Sequence, residues 1–185
     1  MKELITLSRT AQLIHETEEY SARNYHPLPV VIARGEGVWV WDVEGRKYLD
    51  MLSAYSALNH GHRHPKIIEA LFAQAETLTL TSRAFHNDKM GPFLKKLCQM
   101  SGYEKALPMN TGAEAVETAI KAARKWGLLH KTVPENNGEI IVCENNFHGR
   151  TTTIISFSSE EQYRFGFGPY TPGFTIIPFG DVEAL

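Results

Sequence analysis

Cysteine is scarce in this chain: only Cys98 and Cys143 occur among 185 residues. They form no CxxC pair and no spaced framework, which excludes a disulfide scaffold and suits a reducing, cytoplasmic setting. A dominant charge is missing too, since 19 Lys and Arg face 21 Asp and Glu for a formal net charge of −2. With no basic run either, neither nucleic acid nor an anionic membrane surface is expected as a partner. No apolar stretch approaches the roughly 20 residues that a bilayer-spanning helix needs. The start carries Glu3, and its apolar residues are interspersed with polar ones, so no apolar segment or cleavage site of a signal peptide is expected. There is no internal repeat and no low-complexity linker. What is there is 43% hydrophobic and 22% charged, enough apolar material for a real core in a globular protein.

The most informative stretch is LPMNTGAEAVE, residues 107–117. An apolar run over 105–109 predicts a strand that stops at Asn110-Thr111-Gly112, and an amphipathic helix over 113–126 follows at once. Val116, Ile120, Ala123 and Trp126 recur at helical spacing, and Gly127 is placed to end the helix. Glu114 and Glu117 in the first turns, with Lys121, Arg124 and Lys125 in the last, suit the helix dipole. Glu117 also stands four residues before Lys121. All five read as a solvated face. The free N–H groups and positive end of such a helix form an anion cup best matched by a phosphate, placed where open α/β sheets bind ligands. A turn glycine alone requires no ligand.

Elsewhere, residues 6–20 predict a surface helix with Leu7, Ala11 and Ile14 on one side. Two prolines keep Asn24-Tyr25-His26-Pro27-Leu28-Pro29 out of any helix. Residues 37–41 and 47–51 read as paired strands around a glycine-bearing loop. Pro65 opens a helix with Ile67, Ile68, Leu71, Phe72, Ala75 and Leu78 on its apolar face; another spans 89–100 with Pro92 in its first turn. Short β-branched runs at 139–143 and 174–177 have the character of parallel strands buried on both faces. Strands alternating with helices imply a doubly wound, mostly parallel α/β sheet. Thr151-Thr152-Thr153-Ile154-Ile155 fits helix and strand patterns alike, which leaves 150–157 untyped. Residues 180–185 read as a strand exit, an Asp181 N-cap and one helical turn. A lone turn and a three-stranded parallel piece are not self-sufficient, so the expectation is the N-terminal part of a longer protein.

A second chemical feature is Glu144-Asn145-Asn146-Phe147-His148-Gly149-Arg150, at the C-terminal end of the 139–143 strand. Arg150 can grip a carboxylate through two parallel hydrogen bonds, a geometry that lysine cannot copy. Phe147 offers a flat face to a ring. Without the cup nearby, the pair would read as a surface arginine beside a core phenylalanine. His60, His62 and His64 alternate, but no cysteine or carboxylate is close in sequence. They read as the loop that starts the next helix and not as a metal site. Trp39 and Trp41 read as packing residues, and His148 is given no catalytic role.

The segments NYHPLPV (24–30), WDVEGRKYLD (41–50), SAYSALNHGHRHPKI (53–67), LTSRAF (80–85), LPMNTGAEAVETAIKAARKWG (107–127), FHGRT (147–151) and FGPYTPGF (167–174) carry a likeness. From about residue 24 onward the chain resembles the class III family of pyridoxal-phosphate aminotransferases. The resemblance implies a fold type I enzyme with pyridoxal 5′-phosphate as cofactor. The backbone around Thr111, Gly112 and Ala113 would bind its phosphate, and Phe147 would stack on its ring. Arg150 would grip the α-carboxylate of the amino donor or of 2-oxoglutarate. Within the family, the 24–30 segment points to members acting on L-ornithine. Tyr25 would then meet the α-amino end and Tyr55 would line the pocket. The implied reaction passes the distal amine to 2-oxoglutarate and yields glutamate semialdehyde and glutamate. A homodimer or higher oligomer is implied as well. Residues 1–60 would belong to the small domain and 61–185 to the first part of the large, cofactor-binding domain.

The same resemblance puts three groups outside these residues: the Schiff-base lysine, the aspartate that pairs with the pyridine nitrogen, and a phosphate-binding threonine of the partner subunit. No lysine present, Lys105, Lys121 and Lys125 included, has the family's lysine context. The chain alone is therefore expected to be inactive and to need the C-terminal portion of the enzyme as its partner. Two alternatives stand beside this expectation. One is a member acting on acetylornithine or another ω-amine, which would not need Tyr25. The other is a non-catalytic remnant that binds a partner or a phosphate ligand.

Overall fold

Residues 7–185 are described by the computed structural model. They fall into two units, the first ending at Asn87 and the second running Asp88–Leu185. In the first, the Ser8 side chain accepts a hydrogen bond from the Ala11 N–H at 3.2 Å and starts α1, Arg9–Tyr20. Of the expected 6–20 helix, Thr6 lies outside the described residues, as does the Glu3 region read against a signal peptide. Three antiparallel strands follow in the order β1 (Ile32–Glu36), β2 (Trp39–Asp42), β3 (Lys47–Leu49). The expected hairpin is β2–β3, with Trp39 opposite Leu49 and Trp41 opposite Lys47. Strand β1 was not expected, because IARGE has one β-branched residue and an internal glycine.

Asp42 organises the β2–β3 loop. Its carboxylate accepts the Glu44 and Arg46 N–H groups at 3.0 and 2.9 Å, Arg46 Nε at 2.7 Å and the Tyr48 hydroxyl at 2.8 Å. Burial pushes this carboxyl up, but the donors from Tyr48, Arg46 and Glu44 outweigh it and hold Asp42 down at about 2. Trp39 and Trp41 lie beneath cations: Lys47 Nζ is 4.0 and 5.4 Å from their ring centres, and the Arg34 guanidinium is 4.4 Å from Trp41. Beyond the sheet come the short turn α2 (Ser53–Ser56) and α3 (Pro65–Ala75), with Pro65 in the first turn as its fixed φ favours.

The second unit holds α4 (Met90–Ser101), α5 (Gly112–His130), β4 (Ile140–Cys143), α6 (Thr152–Ile155), α7 (Glu161–Arg164) and β5 (Phe174–Ile177). Strands β4 and β5 pair in parallel, from Ile140 opposite Phe174 to Cys143 opposite Ile177. The expected strand at 105–109 does not form. Among the described residues no ladder reaches it, and an extended segment without a neighbour has no strand hydrogen bonds to make. Helix α5 also runs past Gly127. The carbonyl of Gly127 accepts the N–H groups of Lys131 and Val133 at 3.0 and 3.2 Å, so the last turn wraps onto this glycine instead of stopping at it. At the end of the chain Asp181 accepts the N–H groups of Glu183 and Ala184, both at 3.0 Å, and closes a turn.

The untyped segment becomes α6, and it is the most buried part of this unit. Ile154 and Phe157 are each 1% exposed and pack with Ile120 of α5. Ala113, Val116, Ile140, Val142 and Phe174 close around them, with the Phe157 and Phe174 ring centres 4.5 Å apart. Each such side chain contributes about 1.5–3 kcal/mol on burial. Arg124 departs from its reading as a solvated charge. It is half-buried, donates from Nη2 to the Pro172 carbonyl at 2.7 Å and lies 4.9 Å from the Phe174 ring centre. Among the described residues no helix is long and apolar enough to cross a membrane.

Candidate active site

The start of α5 is built by a reciprocal cap. Thr111 Oγ1 accepts the Glu114 N–H at 3.1 Å, while the Glu114 carboxylate accepts the N–H groups of Asn110 and Thr111 at 3.0 and 3.1 Å. Glu114 is thus a capping residue and not merely a charge on a solvated face. The cap also narrows the expected cup. The Thr111 N–H is already taken, whereas those of Gly112 and Ala113 have no partner among the described residues. Gly112 is exposed, with nothing within 4 Å of where a Cβ would stand. Two free N–H groups, the Thr111 hydroxyl proton and the positive end of a 19-residue helix suit a phosphate dianion. The phosphate of pyridoxal phosphate fits this donor set.

The loop after β4 is held down by Asn146. Its Nδ2 donates to the carbonyls of Cys143 and Phe157 at 2.7 and 3.0 Å, and its Oδ1 lies 3.2 Å from His148 Nδ1. The His148 ring meets Phe157 edge-on, with centres 5.7 Å apart. Gly149 has φ +128°, and a Cβ there would stand 3.0 Å from Ala113 Cβ and 3.1 Å from Ile154 Cδ1. Only glycine lets the loop lie this close to the first turn of α5. Phe147 and Arg150 are therefore delivered beside the cup. Phe147 is 63% exposed, which leaves its side chain open to a ligand. The Arg150 guanidinium rests 5.9 Å from the Phe147 ring centre and 5.4 Å from that of Tyr163, which itself meets Phe147 edge-on at 6.1 Å.

One more contact ties this loop to α5. The Thr151 hydroxyl donates to Glu117 Oε1 at 2.5 Å. Glu117 is half-buried, which corrects its reading as a solvated charge. The structure thus gathers Thr111, Gly112, Ala113, Phe147 and Arg150 in the second unit. It adds Asn146, Thr151, Glu117 and Tyr163, which the sequence reading missed. Asn146 had a local signal, an asparagine just past a strand end; the Glu117–Thr151 contact spans 34 positions and had none.

In the first unit, the hydroxyls of Tyr25 and Tyr55 are hydrogen-bonded to each other. Both side chains are exposed. Tyr55 belongs to a run, Ser53–Ser56, in which all four residues have left-handed φ between 47° and 69°. Non-glycine residues pay roughly 1–2 kcal/mol each for that conformation, a kind of strain that concentrates at ligand sites. The three histidines do not share one partner. His62 Nε2 lies 2.7 Å from Asp50 Oδ2, a carboxylate brought in from 12 residues earlier, and its backbone pairs with Gly37. His60 and His64 meet edge-on, with ring centres 6.0 Å apart. Among the described residues no three His, Cys, Asp or Glu side chains gather as a metal site requires.

The model of the family Aminotransferase class-III matches residues 20–185. An ornithine aminotransferase of Brevibacillus brevis is 66% identical over 179 residues, covering 97% of this chain and 45% of that protein. Its counterpart in Bacillus subtilis is 59% identical over 182 residues, covering 98% and 45%. Among solved structures, the ornithine aminotransferase of Toxoplasma gondii superposes with a TM-score of 0.93 at 45% identity, over 97% of this chain and 42% of that one. An acetylornithine aminotransferase from Elizabethkingia anophelis gives 0.81 at 58% identity, over 96% and 43%. The chain spans less than half the length of these relatives. The cup at the α5 N-terminus, the Phe147–Arg150 loop pressed against it and the match over 20–185 agree: the chain belongs to the class III family of pyridoxal-phosphate-dependent aminotransferases.

Proposed function

We propose that this chain supplies the phosphate cup, ring platform and carboxylate grip of an ornithine aminotransferase, which moves the δ-amino group of L-ornithine to 2-oxoglutarate. The observation that carries this reading is the close approach of Gly149 to Ala113, which sets the Phe147–Arg150 loop beside the cup. Pyridoxal phosphate, when bound, supplies the electron sink of the reaction. The N–H groups of Gly112 and Ala113 and the Thr111 hydroxyl would hold its phosphate. Phe147 would cover one face of its ring and exclude water there. Arg150 would take the α-carboxylate of ornithine, and in the second half-reaction a carboxylate of 2-oxoglutarate, through a bidentate, charge-assisted pair. The Tyr25 hydroxyl would accept a hydrogen bond from the α-ammonium of ornithine, leaving the δ-amine as the group that reacts. Tyr55, bonded to Tyr25, would fix that hydroxyl and narrow the pocket.

In this reading the proton-shuttling lysine comes from the C-terminal portion of the enzyme, so turnover needs both portions. A homodimer or higher oligomer in the cytoplasm, and the assignment of 1–60 to the small domain and 61–185 to the large one, belong to the same proposal. The relatives called ornithine aminotransferases, at 59–66% identity, support the choice of substrate. A second reading, an acetylornithine aminotransferase, draws on the 58% identity to the Elizabethkingia structure. Acetylornithine carries an acylated α-amine, which has no ammonium group to offer Tyr25.

The test is the full-length enzyme assayed with ornithine and with N-acetylornithine, as wild type and as Arg150→Lys. Ornithine should be the better donor. Arg150→Lys should lose about 2–4 kcal/mol of transition-state binding in both half-reactions. A preference for acetylornithine selects the second reading, and unchanged kinetics in Arg150→Lys removes Arg150 from the site.

A further inference from the structure

We propose that Glu117 is a positioning residue for Arg150: through its hydrogen bond with Thr151 it fixes the carboxylate grip against the helix that carries the phosphate cup. This role presupposes Arg150 as the grip, as proposed above. Thr151 adjoins Arg150 in the chain and is held from two sides. Its hydroxyl proton goes to Glu117 Oε1 of α5, and its oxygen accepts the Ile154 N–H of α6 at 3.4 Å. Glu117 stands four residues after Ala113 and so on the same face of α5. Ala113 is the residue against which Gly149 presses. Arg150 thus sits between two anchors one helical turn apart, Gly149 on Ala113 and Thr151 on Glu117.

Nothing comparable holds the Arg150 side chain itself. Among the described residues its guanidinium makes no ion pair and rests over the rings of Phe147 and Tyr163, contacts with weak directional preference. Its aim is therefore set by its backbone, and its backbone by the two anchors. The ordinary roles of a glutamate near a helix start do not account for Glu117. It is half-buried, makes no ion pair with Lys121, and the reciprocal cap is already built by Glu114. Removing the Glu117 acceptor releases one anchor while leaving the cap and the free N–H groups of Gly112 and Ala113 in place. Grip and cup should then separate experimentally.

The experiment uses the full-length enzyme and reads two quantities. The inhibition constant of glutarate, an unreactive dicarboxylate, against 2-oxoglutarate reports the grip. The dissociation constant of pyridoxal phosphate reports the cup. Glu117→Ala should weaken glutarate about five- to tenfold, on the order of one ordinary intramolecular hydrogen bond, with the cofactor constant changed less than twofold. Thr151→Val, which keeps the side-chain shape but also frees the Ile154 N–H, should weaken glutarate at least as much, and it carries the test alone if Glu117→Ala does not fold. The double variant should be no worse than Thr151→Val alone, while Glu117→Gln and Thr151→Ser, which keep acceptor and donor, should stay near wild type. An unchanged glutarate constant, a parallel loss of both constants or additive single effects would each overturn the proposal. Arg150→Ala is the reference. If it leaves glutarate inhibition intact, the reading of Arg150 fails; if it abolishes inhibition and the Glu117 and Thr151 variants do not weaken it, the role of Glu117 alone fails.

Discussion

Replacing Gly149 by alanine adds one methyl group, and two separate costs follow from where that group would stand. The first lies in the backbone. A φ of +128° is a region that residues with a Cβ rarely enter, at roughly 1–3 kcal/mol. The second lies in the packing. The new Cβ would be 3.0 Å from Ala113 Cβ and 3.1 Å from Ile154 Cδ1, well inside the roughly 3.5–4.0 Å at which carbon atoms pack best. Overpacking of this kind costs about 1–3 kcal/mol. Together they amount to about 2–6 kcal/mol, the lower part of the range applying if the loop shifts by a few tenths of an ångström. Ala113 heads a long helix and Ile154 is core, so the loop must yield, and it carries Phe147 and Arg150. In the full-length enzyme, Gly149→Ala should therefore lower both the urea midpoint and kcat/KM, the latter at least tenfold. Adding Ala113→Gly removes one of the two close contacts but not the backbone cost, so it should recover only part of the loss. A Gly149→Ala enzyme as stable and active as its parent, or one fully rescued by Ala113→Gly, would refute the reasoning.

Tyr25→Phe should lower the efficiency with ornithine by roughly 1–3 kcal/mol and leave the 2-oxoglutarate half-reaction, which has no α-amine to hold, nearly unchanged; equal losses in both would make Tyr25 structural. Because Asp42 is held at about 2 when folded, below its unfolded value, its contribution to stability is complete above about pH 4 and is lost as the pH falls from there towards 2. Circular dichroism of Asp42→Asn should show a flatter acid limb than the parent, and identical limbs would remove Asp42 as a cause. A polypeptide of these 185 residues, incubated with pyridoxal phosphate and borohydride, should trap no cofactor at a single lysine and show no transamination. Stoichiometric trapping with ornithine turnover would overturn the placement of the lysine in the C-terminal portion.

Features set by local chemistry were legible in the sequence. Pro65 at a helix start, the β-branched runs of β4 and β5, the β2–β3 hairpin and the helix start after Thr111 all depend on a few neighbouring residues. Features that need a distant partner were not. The 105–109 segment has the composition of a strand, but strand hydrogen bonds belong to pairs. Gly127 fits a helix stop and equally a last turn folded back on its carbonyl, and only the N–H groups of Lys131 and Val133 decide between them. Thr151-Thr152-Thr153-Ile154-Ile155 satisfies two periodicities, and burial of Ile154 against Ile120 of α5 settles it as helix. Glu117 and Arg124 looked like ordinary surface charges because their partners, Thr151 and Pro172, lie 34 and 48 positions away.

The Phe147–Arg150 loop has the hydrophobic core as its underside. Asn146 reaches down to the Phe157 carbonyl, His148 sits on the Phe157 ring, and Gly149 rests over Ile154. A loop so seated cannot drift in length. One residue inserted between 144 and 150 would pull Asn146 off its two carbonyls or lift Gly149 away from Ala113. Over evolutionary time, or in an engineer's library, new substrates at this site would have to come from exchanged side chains on an unchanged frame, or from other segments that approach it. Length variation in this stretch is a kind of diversity that its architecture closes off.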